Sequence, residues 1–141
     1  MKILLFCLFS VITYCAYPQE CFLIVSSGGG ITGMATVYQV SPDGEVLKGR
    51  GLGQIDYSEK SIIQKSVARK YYRKTRKLVE KSPAFDHPGN IYYSLAAREN
   101  GKEVKMTWGA IEYPAPEQAK NLYDEIIKIL TGLTFTANTT K

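Results

Sequence analysis

From Cys21 to Ser26 the chain is a short run of apolar, aromatic and β-branched residues, and from Met34 to Val40 it alternates Met34, Thr36, Tyr38 and Val40 with Ala35, Val37 and Gln39. A period of two in residues of this kind predicts two strands. Ser41-Pro42-Asp43-Gly44 follows. Proline presets φ and glycine accepts the left-handed position of a turn, so Glu45 to Gly49 is expected to return as a third strand. The glycine-rich Gly49-Arg50-Gly51-Leu52-Gly53 is expected to end that pairing.

The period then lengthens. Asp56 and Glu59 stand at capping-box spacing, with Ser58 as a competing cap, and predict a long helix that runs to about Ser82, where Pro83 stops it. Ile63, Val67, Tyr71, Leu78 and Val79 fall on one side of that helix, with Ala68 and Tyr72 at the margin, so it is amphipathic and expected to lie on the sheet. Ile91 to Arg98 and Glu103 to Trp108 flank Asn100-Gly101, the strongest two-residue hairpin signal, and Ile91, Tyr93, Leu95 and Ala97 share a face. Pro116 then opens a second amphipathic helix, whose apolar positions Ala119, Leu122, Tyr123, Ile126, Ile127 and Leu130 recur at three- and four-residue spacing before Gly132. Residues 133–141 show no periodicity and are expected to form a flexible tail. The predicted order is β-β-β-α-β-β-α, an α+β domain over residues 17–132 with one antiparallel sheet of about five strands and two helices packed on one face.

Composition narrows the class without changing this picture. The chain has 141 residues, 45% of them hydrophobic and 22% charged, which is ordinary for one folded domain and excludes a collagen-like or disordered chain. Lys2 is followed by an uncharged stretch, Ile3 to Ala16, of the length of a secretory signal's apolar core and too short to span a bilayer. Residues 1–16 are therefore expected to be a signal peptide, cleaved after Cys15 or Ala16, and the protein to be secreted or periplasmic. Lipid anchoring is the weaker reading, since Tyr14 precedes Cys15 and Glu20 precedes Cys21 where lipoprotein signals carry a small residue. Cys7 and Cys15 leave with the leader, and Cys21, the remaining thiol, is expected to be buried as a small hydrophobe.

The formal charge of +5 is unevenly placed. Between Glu59 and Lys81 nine cations face two carboxylates, Glu59 and Glu80, so this segment carries +7 and the rest of the mature chain is slightly acidic. Lys65, Arg69, Lys70, Arg73, Arg76 and Lys77 share the arc opposite the apolar stripe. That arc reads either as a solvated outer face or as an anion-binding face for a membrane headgroup surface or an acidic protein. Export argues against nucleic acid as the partner.

Motifs for chemistry are few. Gly28-Gly29-Gly30-Ile31-Thr32-Gly33 satisfies G-x-G-x-x-G, but a dinucleotide fingerprint needs a helix after its last glycine, and a predicted strand follows here. Its expected role is a contact loop in which glycine backbone, Ser26, Ser27 and Thr32 approach a partner closely. One histidine, His87, in a turn, and one mature cysteine do not make a zinc site or an activated thiol, and the carboxylates are scattered. No cofactor or metal is expected. Asn138-Thr139-Thr140 is a glycosylation sequon only where the source glycosylates exported proteins.

The series Ser27 to Gly33, the turn Pro88-Gly89-Asn90, the strand end Thr107-Trp108-Gly109 and the helix after Pro116 resemble small uncharacterised exported bacterial proteins over most of the mature chain. More distantly, the glycine-rich opening and the hairpin-helix-hairpin-helix order resemble the emfourin family, protein inhibitors of thermolysin-like metalloproteases. The chain departs from that family in its leader and basic helix. The loop Gly28 to Gly33 is the part that matches, and the resemblance implies a protease inhibitor. The chain is expected to be a monomeric, non-enzymatic binding module, such an inhibitor or an envelope interaction protein, with candidate contacts Gly28, Gly29, Gly30, Thr32, Gly33, Asn90 and Trp108. The alternatives are an anionic-surface binder acting through the basic helix, and a small hydrolase whose site is assembled only in three dimensions.

Overall fold

The computed structural model describes residues 20–82 and 84–139. The expected signal peptide and its cleavage position lie outside the described residues. The elements are β1 (Cys21–Gly29), β2 (Ala35–Val40), β3 (Glu45–Gly51), β4 (Asp56–Ile62), α1 (Lys65–Lys81), β5 (Ile91–Glu99), β6 (Lys102–Trp108), α2 (Glu117–Thr131) and β7 (Thr136–Ala137). The strands form one sheet in the order β6-β5-β1-β2-β3-β4-β7, and every strand pair is antiparallel. The fold is thus α+β, with hairpins where the alternating runs and the Asn-Gly turn placed them.

Two strands were not expected. Asp56–Ile62, read as the start of the long helix, is instead β4, and α1 begins only after Gln64, which caps it with backbone alone. The carboxylate that suggested a capping box is used across the sheet. Glu59 pairs with Lys48 at 2.8 Å, and the Lys48 ammonium lies 5.0 Å from the centre of the Phe135 ring. Pairing β4 to β3 also removes a long open edge, a gain that a local capping pattern does not offset.

The predicted flexible tail is likewise structured as far as residue 139. Leu133 and Phe135, two apart and so on one side of an extended segment, pack against the core, and Thr136–Ala137 pairs with Glu59 and Lys60. The Asn138 N–H donates to the Ser58 carbonyl at 2.8 Å.

Strand alternation divides the side chains between two faces. Leu23, Val25, Val46, Leu95 and Met106 are fully buried against both helices, which contribute Val79, Ala119, Ile126 and Leu130 among others. Both helices therefore cover the same face. The deepest line of α1 is Ala68, Tyr72, Thr75 and Val79, so the marginal positions of the predicted stripe form its centre. A smaller cluster of Ile24, Ala35, Val37 and Ala96 lies on the opposite face, flanked by Phe22, Ile55 and Tyr57. Cys21 is a buried free thiol, as its strand context predicted. Gly44 adopts φ +93°, the left-handed position required of it, and a Cβ there would overlap the Ile63 carbonyl.

Two consequences are measurable. Leu95→Ala, at a fully buried site beneath the helices, should cost about 2–5 kcal/mol in denaturant unfolding, and Phe135→Ala should also destabilise, although it lies in the segment expected to be a tail. Burial pushes the Tyr123 phenol up to about 12, and burial together with the neighbouring Cys21 does the same to Tyr72. The folded state therefore holds protons that the unfolded chain releases near pH 10. Stability should be intact below about pH 10 and fall between 10 and 12, with two late tyrosinate titrations in the absorbance spectrum that Tyr72→Phe and Tyr123→Phe remove one at a time.

Candidate functional site: the glycine-loop end of the sheet

Antiparallel order gathers the ends of β1, β3 and β6 and the starts of β2, β4 and β5 at one end of the sheet. Four loops meet there. β1 stays paired with β5 through its glycines, with Gly28 opposite Tyr92 and Gly29 opposite Ile91. The Gly30 N–H donates to the Asn90 carbonyl at 2.7 Å, and the Gly33 N–H donates back to the Gly30 carbonyl at 3.2 Å, closing a tight turn. Thr32 Oγ1 accepts the Met34 N–H at 3.4 Å. Of the candidate contacts, Gly28, Gly29, Gly30, Thr32, Gly33 and Asn90 are therefore brought together. Gly29 is indispensable to this geometry: its φ is +99°, and a Cβ would overlap the Asn90 carbonyl oxygen.

Trp108 is the exception. It is 6% exposed and lies on the helix face with its ring edge-on to Tyr123, 5.5 Å between centres, so it belongs to the core and is no partner contact. Its β6 alternation puts it on the same side as Met106. What surrounds the glycine turn instead is a rim of apolar side chains. Ile31 is fully exposed at the tip, and Met34, Leu52, Ile91 and Ile111 are exposed on the adjoining loops and strand start. Leu52 reaches the turn, its Cδ1 lying 3.0 Å from where a Gly33 Cβ would be. None of these was marked as a contact in the sequence: Met34 and Ile91 read there as members of strand faces, and Ile31, Leu52 and Ile111 stand outside the periodic runs.

His87 is half-buried in its loop. It stacks on Tyr113 at 4.0 Å and meets the edge of Phe85 at 4.9 Å, while its backbone bonds Thr107 and Ala110 and fixes the loop beside the rim. Cys21 begins β1 at the far end of the sheet, about 17 Å along the strand from Ser26, whereas His87 is bonded through its backbone to Thr107 at the Ser26 end, so Cys21 and His87 do not form a dyad. Among the described residues no three His, Cys, Asp or Glu side chains gather as a metal-holding group.

The basic face of α1 divides. Lys65 and Arg69 flank Asp43 at 3.4 and 3.9 Å, and Arg76 is held by Glu80 at 2.8 Å and Glu99 at 2.9 Å. Lys70, Arg73 and Lys77 are exposed and form no ion pair among the described residues. Apart from Glu80, on α1 itself, the acidic partners come from the β2–β3 turn and the end of β5, positions that a helical wheel does not contain. Half of the predicted anion-binding arc is thus engaged within the molecule.

No known family model matches the chain, and no curated protein matches it by sequence. Gly29→Ala should loosen the turn selectively: amide exchange at Gly30 and Ile91 should accelerate by at least about tenfold, while Val25 and Leu95 at mid-strand keep their protection.

Proposed function

We propose that this is an exported, monomeric, non-enzymatic binding module that docks a protein partner on the glycine-loop end of its sheet, and that the partner is a thermolysin-like metalloprotease. The observation that carries the reading is the fully exposed Ile31 at the tip of a backbone-tied glycine turn, ringed by Met34, Leu52, Ile91 and Ile111. Several exposed apolar side chains gathered at one end of a sheet are costly for a solitary soluble domain and are a usual mark of an interaction surface. The loops that bear it are anchored on strands, so little conformational entropy is lost when they dock. The resemblance of this loop and of the element order to the emfourin inhibitors supplies the partner class.

Residues 17–141 should inhibit a thermolysin-like protease at stoichiometric concentration. Ile31→Asp, which leaves the sheet intact, should raise the inhibition constant about 30-fold, the loss expected when a charge replaces an interface anchor. Full activity of several such proteases in the presence of excess protein would refute the assignment, and so would unchanged inhibition by the variant.

A further inference from the structure

The sheet face turned away from the helices holds a separate feature. Cross-strand register places Thr107 opposite Ser94, Ser94 opposite Ser26 and Ser26 opposite Val37, so three hydroxyls stand in one row across β6, β5 and β1. The adjoining row is made of small residues, Gly28, Ala35 and Gly51, with Tyr92 at its β5 end lying over Gly28. Tyr57 and Ile55 curl over Gly49 from the other side, because glycine there leaves them room. The result is an open cleft of about 420 Å³ with Ile24, Ala35 and Val37 in its lining, a volume within the usual range for small-molecule sites.

Its polar groups are not balanced among themselves. Thr107 is 5% exposed, yet its Oγ1 has no hydrogen-bond partner, an arrangement that costs free energy unless something supplies one. Ser26 and Ser94 bond to each other, which uses one of their two hydroxyl protons and leaves the second available. Arg98 is neutralised, since its Nε and Nη2 both donate to Glu103, at 3.1 and 2.7 Å. Lys105, two residues from Thr107 on the same face and so about 7 Å away along the strand, forms no ion pair among the described residues. The cleft therefore presents one uncompensated positive charge beside the unpartnered Thr107 hydroxyl and the Ser26–Ser94 pair at one side and an apolar floor between two tyrosines at the other.

We propose that this cleft binds a small organic carboxylate with a flat apolar body, its carboxylate held by Lys105 and the Thr107 and Ser94 hydroxyls and its body lying over Ala35 and Val37 between Tyr57 and Tyr92. A single net charge selects a monoanion over a dianion or phosphate, and the shallow floor of small residues selects a planar body. The site is separate from the apolar rim and does not depend on the protease assignment.

The test uses 2-naphthoate as probe and 2-naphthamide as its uncharged isostere, titrated into residues 17–141 and followed by NMR. Naphthoate should give saturable one-to-one shifts centred on Ser26, Ser94, Thr107 and Val37, with the amide about tenfold weaker. Lys105→Gln, at an exposed position that leaves the fold unchanged, should also weaken naphthoate about tenfold and leave the amide unaffected. Thr107→Val should weaken both, because Oγ1 can bond either headgroup. The absence of saturable shifts at the cleft, equal affinity for acid and amide, or undiminished binding by Lys105→Gln would each overturn the proposal.

Discussion

The pairing of β1 with β5 holds the molecule together. It joins strands about seventy residues apart, with Cys21 opposite Glu99 and Gly29 opposite Ile91 along nine consecutive positions. On one side of this seam the chain forms the meander β1 to β4, and on the other the hairpin β5–β6. Neither half alone encloses the apolar face that the helices cover. Leu23 and Val25 from β1 and Leu95 from β5 meet Val79 of α1 and Ile126 of α2 only when the seam has formed. Closing so long a loop is entropically costly, and the burial of a continuous row of side chains on both sides of the sheet offsets it.

Both proposed sites follow from the same seam. At its glycine end the backbone of Gly28 to Gly30 is tied to β5 and to Asn90 just before it, which gives the glycine turn one shape and sets Ile31 at its tip. Along its outer face the register aligns Ser26 with Ser94 and Thr107, which no local feature of β1, β5 or β6 requires. A shift of one residue would send the hydroxyls into the helix-covered core and expose Leu23 and Leu95, so packing on one face fixes the chemistry on the other.

The charge distribution shows how tertiary contacts revise a local reading. The basic helix is +7 by composition, with eight cations and Glu80 between Lys65 and Lys81. In the fold Asp43, Glu99 and Glu125 come to it from the β2–β3 turn, from β5 and from α2. These exposed pairs contribute little to stability individually, but they reduce the field the helix presents to an anionic surface. Lys70, Arg73 and Lys77 keep an outward positive strip.

Residues 21–51 and 91–131 were legible because their signals are local and agree with one another. Alternation at Met34 to Val40, the Pro-Asp-Gly turn and Asn100-Gly101 each specify backbone shape within a few residues, and the amphipathic second helix specifies which side it buries. Asp56–Ile62 and Thr136–Ala137 were not legible. Their strand state exists because β3 offers an edge, because Lys48 waits for Glu59, and because Phe135 finds a place beside Tyr38 and Leu133 one against the core. The same division holds for the sites. Sequence alone determined the glycine turn, the buried Cys21 and the amphipathic helices, since these depend on the φ a residue tolerates and on hydrophobic period. Only the tertiary structure decided that Trp108 is core, that Ile31 heads an apolar rim and that Ser26, Ser94 and Thr107 share a cleft, because each depends on which distant residues the sheet register sets side by side.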